Sequence, residues 1–187
     1  MQARPVADRV LVRSDDSQER VGSLYLPETA RPRIEGVVLA VGDGLTLPNG
    51  RVVPPEVRVG DRVLFSKAGP AEIVVDGEKL LLVREDDIVG VRDGDGWRPI
   101  RDRVLVRRAP ERQTSGGLVI PEEVAKRDRL AEVVSVGPGR RLRDGSRAPM
   151  HVRPGDRVVL RDHYSGYRTR DDLVMLEDCD VWGVVEG

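Results

Sequence analysis

The chain has 187 residues, 31 of them basic and 32 acidic, and its formal net charge of −1 gives no general affinity for nucleic acid or membrane surfaces. Cys179 is the single cysteine, which excludes an internal disulfide framework and suits a reducing cytosol. No apolar run approaches the roughly 18 residues of a membrane span and the N-terminus lacks a signal-peptide apolar region, so the expectation is a soluble, cytosolic chain; a plastid form would need a transit peptide ahead of it.

The first element decides the architecture. Arg4-Pro5-Val6-Ala7-Asp8-Arg9-Val10-Leu11-Val12-Arg13 returns as Arg98-Pro99-Ile100-Arg101-Asp102-Arg103-Val104-Leu105-Val106-Arg107, with eight of the ten residues identical at an offset of 94. Gly22-Ser23-Leu24-Tyr25-Leu26-Pro27-Glu28 recurs as Gly116-Gly117-Leu118-Val119-Ile120-Pro121-Glu122 at that same offset. Gly60-Asp61-Arg62-Val63 recurs at an offset of 95, and Asp87-Ile88-Val89-Gly90-Val91 recurs at 93 as Asp180-Val181-Trp182-Gly183-Val184. An offset that drifts by single residues puts the length changes in loops. The chain is two copies of one domain of about 90 residues, repeat 1 over 1–94 and repeat 2 over 95–187. Units of that size bury only about 60–65% of their unfolded surface, so each gains from a neighbour. The repeats carry net charges of −3 and +2, and only Lys67, Lys79 and Lys126 among the basic residues are lysine. The arginines are interleaved with acids, as on a solvated surface.

Along repeat 1 the apolar segments are short, β-branched and bounded by turn residues: 9–13, 36–41, 61–65, 72–75, 80–83 and 88–91. Repeat 2 shows the same series, which predicts an all-β protein of two small antiparallel barrels with half-buried strands. Asn49-Gly50 and Asp144-Gly145 occupy equivalent places and predict type I′ hairpins, with Asp76-Gly77 a third such turn in repeat 1 only. The linker Asp93-Gly94-Asp95-Gly96 is flexible in composition but spans only about 13–14 Å, so the barrels must be neighbours. If the last strand of one repeat lies beside the first of the next, the linker covers a sheet edge. The one helix candidate is 121–130, with Pro121 at its first position.

Two polar, glycine-ended stretches do not fit a barrel. Ser14 to Arg20 leads through Gly22 into Leu24-Tyr25-Leu26, and Ala109 to Ser115 leads through Gly116-Gly117 into Leu118-Val119-Ile120. Each triplet is either a strand of its own barrel or an apolar loop tip that something must cover.

In this order and spacing the motifs resemble the chaperonin-10 (GroES) co-chaperonin family, over essentially the whole chain and twice. Arg-Pro-x-x-Asp-Arg-Val-Leu-Val resembles the family's first strand, Gly-Gly-Leu-Val-Ile-Pro at 116–121 its mobile-loop tip, and 57–67 the strand after its roof hairpin. The double arrangement is similar to the plastid tandem co-chaperonins. The resemblance implies a lid that caps an ATP-bound GroEL-type chaperonin, with no cofactor of its own because the ATP binds the chaperonin. Residues 14–34 and 108–129 would be mobile loops. Leu24, Tyr25, Leu26, Leu118, Val119 and Ile120 would be the chaperonin-binding anchors, and Gly22, Gly116 and Gly117 the loop glycines. Asn49, Gly50, Asp144 and Gly145 would form roof hairpins. The family's chamber-facing aromatic falls on Ala68 in repeat 1 and on Tyr164 in repeat 2. The second roof hairpin, 140–147, is strongly basic and reads as a solvated turn or as a rim that meets the enclosed client or another partner. The family ring has seven barrels whereas two per chain give an even count, so the expected homo-oligomer would hold six or eight barrels, or reach seven either with a single-barrel co-chaperonin as partner or with one barrel held out of the ring.

Other chemistry is set aside. His151 and His163 have no zinc-site spacing around them, no glycine-rich run ends in Gly-Lys-Ser/Thr, and no nucleophile–base constellation is present, so no enzyme is expected. Cys179 stands between acids that would raise its pKa. The same barrel shape occurs in zinc-dependent alcohol dehydrogenases, but the metal ligands are missing here. The alternative reading is a tandem-barrel adaptor or nucleic-acid-binding module using the Arg-rich second half, although its few aromatics form no stacking cluster.

Overall fold

The computed structural model describes residues 3–15, 33–66, 69–108, 129–162, 164, 166–169 and 173–185. Repeat 1 supplies β1 (Arg9–Ser14), β2 (Arg33–Val41), β3 (Leu45–Thr46), β4 (Val52–Val53), β5 (Arg62–Ser66), β6 (Ala71–Val75), β7 (Glu78–Arg84) and β8 (Ile88–Asp93). Repeat 2 supplies β9 (Gly96–Pro99), β10 (Arg103–Arg108), β11 (Leu130–Val136), β12 (Arg157–Leu160), β13 (Tyr167–Arg168), β14 (Leu173–Glu177) and β15 (Val181–Val184). The only helical pieces among the described residues are two single 3-10 turns, at Glu85–Asp87 and Asp178–Asp180. The helix candidate at 121–130 lies outside the described residues except for its end, where Leu130 already opens β11.

All pairings are antiparallel, in two main sheets ordered β6-β7-β1-β2-β5-β8-β9 and β13-β14-β10-β11-β12-β15. Each sheet curls round its own core. In repeat 1, Val83 of β7 and Ile88 and Val91 of β8 come from far-apart strands yet share a cluster with Val10, Val38 and Phe65. In repeat 2, Val104, Val133, Leu160 and Leu176 do the same. Register shifts at Leu11/Val12 and Leu105/Val106, and at Leu64/Phe65 and Val159/Leu160, recur at equivalent places and bend the strands. The sheets are barrel-like, but no ladder among the described residues joins the first strand of a sheet to its last.

Three sequence expectations change. β1 and β10 are buried on three successive residues rather than on alternate ones. Val104 and Val106 of β10 enter the repeat 2 core while Leu105 packs on the opposite face, in a cluster shared between repeats. The linker is no loose tether: Asp93 pairs with Gly96 in a two-residue hairpin, with Gly94 at φ 55°. Positive φ at the first central position only is the type II′ requirement for glycine. The turn-type expectation holds only for Asp76-Gly77, whose φ values are 50° and 82°. Asn49 and Asp144 keep negative φ, and only Gly50 (81°) and Gly145 (87°) are left-handed. In the first roof the turn closes one residue earlier, over 47–50, and puts Pro48 at its second position, where φ near −65° suits a type I turn. Leu47 C=O accepts from Gly50 N–H at 2.9 Å, a type I turn with glycine at the bulge position after it. Arg143 takes the place of Pro48 in the second roof, with the same Leu142-to-Gly145 bond at 3.0 Å.

Phe65 is fully buried at the centre of the repeat 1 cluster. Phe65→Ala is expected to cost about 3–5 kcal/mol, a large part of the stability of a domain this size, and to lower the thermal unfolding midpoint measured by circular dichroism.

Candidate functional site

Three parts of the surface bear on the sequence expectations: the roots of the expected loops, the hairpins expected to form a roof, and the seam between repeats. The triplets expected to be anchors, Leu24-Tyr25-Leu26 and Leu118-Val119-Ile120, and the glycines Gly22, Gly116 and Gly117, lie outside the described residues. Their roots do not. β1 ends where Ser14 pairs with Gly36 of β2, Asp15 N–H donates to Glu35 C=O at 2.9 Å, and the Asp15 carboxylate engages Arg62 of β5. β10 ends equivalently, with Arg108 paired to Ala131 of β11 and Arg129 engaging Asp162. Segments 16–32 and 109–128 therefore leave each repeat at the same place. The roof hairpins follow the other ends of β2 and β11; nine residues of β2 separate loop root from roof by about 30 Å.

The first roof is the β3–β4 ladder, Leu45 on Val53 and Thr46 on Val52; the second keeps only the Arg141–Arg147 bridge. Asn49 Oδ1 accepts from Arg51 N–H at 3.0 Å, and Asp144 Oδ1 accepts from both the amide (2.9 Å) and the hydroxyl (2.6 Å) of Ser146. Those Ser146 bonds, the hydroxyl's first, hold the Asp144 carboxyl below the usual range. A side chain at Gly145 would meet Leu47 Cδ1 at 2.9 Å, so the second roof packs on the first.

Across the seam β9 pairs with β8, and Trp97, Leu105 and Met175 of repeat 2 form one cluster with Leu64 and Val89 of repeat 1. A Cβ at Gly90 would meet Met175 Cε at 2.9 Å, so the repeat 2 side chain lies directly on the β8 backbone there. Arg92 of repeat 1 stacks its guanidinium 5.3 Å from the centre of the Trp97 ring.

Above this apolar strip lies a charged clamp. Glu56 N–H donates to Glu85 Oε1 at 2.5 Å, which brings the two carboxylates of repeat 1 together. Repeat 2 answers with Arg141, whose nitrogens stand 3.7 Å from Glu56 and 3.9 Å from Glu85, and with Arg147 at 3.0 Å from Glu56. Arg141 also donates to Pro54 C=O at 3.3 Å, and Arg101 engages Asp86. The side chains of Arg141, Glu56 and Glu85 are only 8%, 9% and 3% exposed. The basic roof is thus neither a solvated turn nor a free rim at these positions, although Arg140 and Arg143 remain exposed. Burial pushes the Glu85 carboxyl up; the Glu56 amide and the Arg141 and Arg101 charges offset part of that.

Tyr164 is half-buried, packed on the repeat 2 core over Gly166, while Ala68 lies outside the described residues. His151 is exposed and its Nδ1 engages the Asp178 carboxylate; His163 lies outside the described residues. Cys179 is exposed, with its thiol pKa raised by burial and by its bond and proximity to Glu177. Among the described residues no group of three or more His, Cys, Asp or Glu could hold a metal, and no helix is long and apolar enough to cross a membrane. The sequence reading missed Glu56, Glu85, Arg141 and Trp97. The available signal was the non-equivalence of the repeats, since Arg141 and Arg147 stand where repeat 1 has Thr46 and Val52.

The model of the chaperonin 10 Kd subunit family matches residues 2–92 and again 97–185. The 20 kDa chaperonin, chloroplastic, of Spinacia oleracea is 34% identical over 97% of this chain and 74% of its own length. The protein of that name from Arabidopsis thaliana is 33% identical, over 97% and 75%. A co-chaperonin GroES from Geotalea uraniireducens is 45% identical over 49% of this chain and 97% of its own, about one repeat.

Arg141→Met leaves Glu56 and Glu85 buried without their shared cation, and is expected to cost about 3 kcal/mol in chemical denaturation. Glu85 also sets a pH slope. Its folded pKa is raised, so its contribution is full below the ordinary carboxylate range and is lost as pH rises through the folded value. Glu85→Gln should flatten stability against pH across that window; an unchanged slope would place the titration elsewhere.

Proposed function

Because this chain belongs to the chaperonin 10 Kd subunit family, matched over both of its repeats, we propose that it works as a co-chaperonin that caps an ATP-bound GroEL-type chaperonin and assists folding of the client inside. The observation that carries the reading is the pair of equivalent loop roots, each feeding a polar, glycine-marked segment with an apolar triplet. Leu24, Tyr25 and Leu26, and Leu118, Val119 and Ile120, enter a hydrophobic groove between helices of the chaperonin. Ordering a loop on binding costs conformational entropy, so one contact is weak. Several loops on one rigid assembly act together, and avidity restores affinity without making the lid permanent.

The roof hairpins, about 30 Å from the loop roots along β2, cover the opening, and the exposed part of the Tyr164 ring turns to the chamber. The lid is an assembly of several copies of this chain, with a single-barrel co-chaperonin where an odd number of barrels is needed. The nucleotide belongs to the chaperonin and the reading gives this chain no reaction of its own. Its compartment follows its chaperonin, a bacterial-type cytosol or, as in the names of the two plant relatives, a chloroplast. Arg101, Arg141 and Arg147 are turned to carboxylates of repeat 1, which removes them from any nucleic-acid groove in the second half.

Native mass spectrometry of the protein with a chaperonin, with and without ATP, tests this. A capped complex should form only with nucleotide. Replacing both triplets by Ser should abolish it while the circular dichroism spectrum stays that of the parent; a complex that survives both replacements removes the anchor assignment.

A further inference from the structure

The hairpin that opens each sheet is built differently in the two repeats. In repeat 1 the edge strand is β6, the five residues Ala71-Glu72-Ile73-Val74-Val75, joined to β7 by the Asp76-Gly77 turn. In repeat 2 the equivalent edge is β13, only the two residues Tyr167-Arg168. Thr169 then closes it, its N–H and its hydroxyl both donating to Leu173 C=O, at 2.8 and 3.3 Å. A very short strand carrying a cation is a blunted edge, whereas a longer β-branched one is a template for pairing. β6 has no proline within it, and its one charge, Glu72, is paired along the hairpin with Lys79 at 3.0 Å. Val74 is 64% exposed and Ile73 and Val75 are only half-buried, so the strand stands clear of the repeat 1 core.

The turn fixes which backbone groups of β6 are free. In a type I′ turn over 75–78 the Val75 C=O accepts from the Glu78 N–H, so these register partners form a hydrogen-bonded pair. Hydrogen-bonded and open pairs alternate along an antiparallel ladder. Ile73 and Ala71, opposite Leu80 and Leu82, therefore also turn their backbone groups to β7. Glu72 and Val74 turn theirs outward, and among the described residues nothing takes them up. An identical strand laid antiparallel about Ile73 meets those groups. Glu72 then faces Val74 of the second copy, and Val74 faces its Glu72. Each of these two pairs supplies two hydrogen bonds, four in all. Ile73 faces Ile73, Ala71 faces Val75, and no like charges stand directly opposite. The two Glu72 side chains meet only on the diagonal, about 7–8 Å apart, and each keeps its own Lys79.

We propose that β6 is a docking edge for β6 of a second copy of this chain, paired antiparallel about Ile73. The contact is two-fold, so each copy uses this edge once and the edge joins copies in twos. Across the new sheet one row runs Lys79, Val74, then Glu72 and Leu81 of the other copy, which lays the aliphatic stem of a glutamate beside the exposed Val74. Five residues span about 17 Å, a small contact, so the pair forms and parts with concentration. Repeat 2 cannot serve in the same way, because β13 is too short to offer two outward pairs. The inference does not rest on the functional reading above, and no chaperonin enters its test.

The test is a cysteine scan of the full-length protein, with Cys179→Ser as its background because that thiol is exposed. In the register proposed, Ile73 and its copy form an open pair with Cα atoms about 4.5 Å apart, within disulfide reach. Ile73→Cys should therefore give a two-chain band under mild oxidation, and the band should fade when the protein is diluted beforehand. Val74→Cys, whose copies stand about 7–8 Å apart on the diagonal, should not cross-link. Val74→Pro spares the β7 ladder, since the Val74 N–H faces outward, and removes two of the four hydrogen bonds. Added to Ile73→Cys, it should cut cross-linking about tenfold while the circular dichroism spectrum stays that of the parent. No band with Ile73→Cys, or equal bands from positions 73 and 74, would overturn the proposal. A reduced, carboxymethylated protein, used as an unfolded probe, is the remaining occupant to exclude. Its retention by the parent and not by Val74→Pro, with no cross-link at 73, would assign the edge to extended clients and overturn the pairing of copies.

Discussion

The ladder that β9 forms on β8 is the interaction on which the rest of the molecule depends. β9 belongs to repeat 2 in sequence but is the edge strand of the repeat 1 sheet. One two-residue turn therefore fixes the register between domains that would otherwise be free to rotate. The turn places Trp97 against Val89, Leu105 and Met175, and this third cluster lies between the two barrel cores. Small domains are marginal because so much of their surface stays wet. Here the outward faces of Leu64 and Leu105, which in a lone repeat would meet water, are buried on each other's strands.

The charged clamp contributes something different from the apolar strip. Desolvating Glu56, Glu85 and Arg141 costs much of what their attraction returns, and the raised Glu85 pKa is the sign of that cost. Its consequence is orientation. A buried carboxylate pair accepts a neighbour only when cations arrive at the right place, and Arg141 and Arg147 do so from opposite strands of one hairpin. Two arginines of the second roof, Arg141 and Arg147, thus make it a docking element between the repeats, while Arg140 and Arg143 stay exposed.

How much of this was legible depended on the kind of signal. The tandem repeat, the strands and the hairpin positions were plain in the sequence, because β-branched runs and Gly-ended turns are local and recur at a nearly constant offset. Turn type failed at both roofs, where a four-residue turn closes on Gly50 and on Gly145 with or without a proline in it, while Asp76-Gly77 took the predicted form. The clamp was illegible for another reason. An arginine that pairs with an acid 85 residues away looks in one dimension like any surface arginine, and only the departure of Arg141 from Thr46 marked it. Strand burial was underestimated on the same ground, since nothing local shows that the outer face of Leu105 will be covered by another repeat.

The placement of the clamp bears on how the two repeats hold each other. Within the chain the linker already holds the partners at a high effective concentration, so the clamp is not needed to bring them together. Its free energy goes into a single relative orientation of the two repeats. Length changes between repeats spare this seam. The offset moves from 94 to 95 between Glu28 and Gly60, and falls to 93 between Val63 and Asp87. These shifts fall at segment 16–32 or the β2 root and at the β6–β7 hairpin, so β1, the roofs and the edge strands that meet across a junction keep their register.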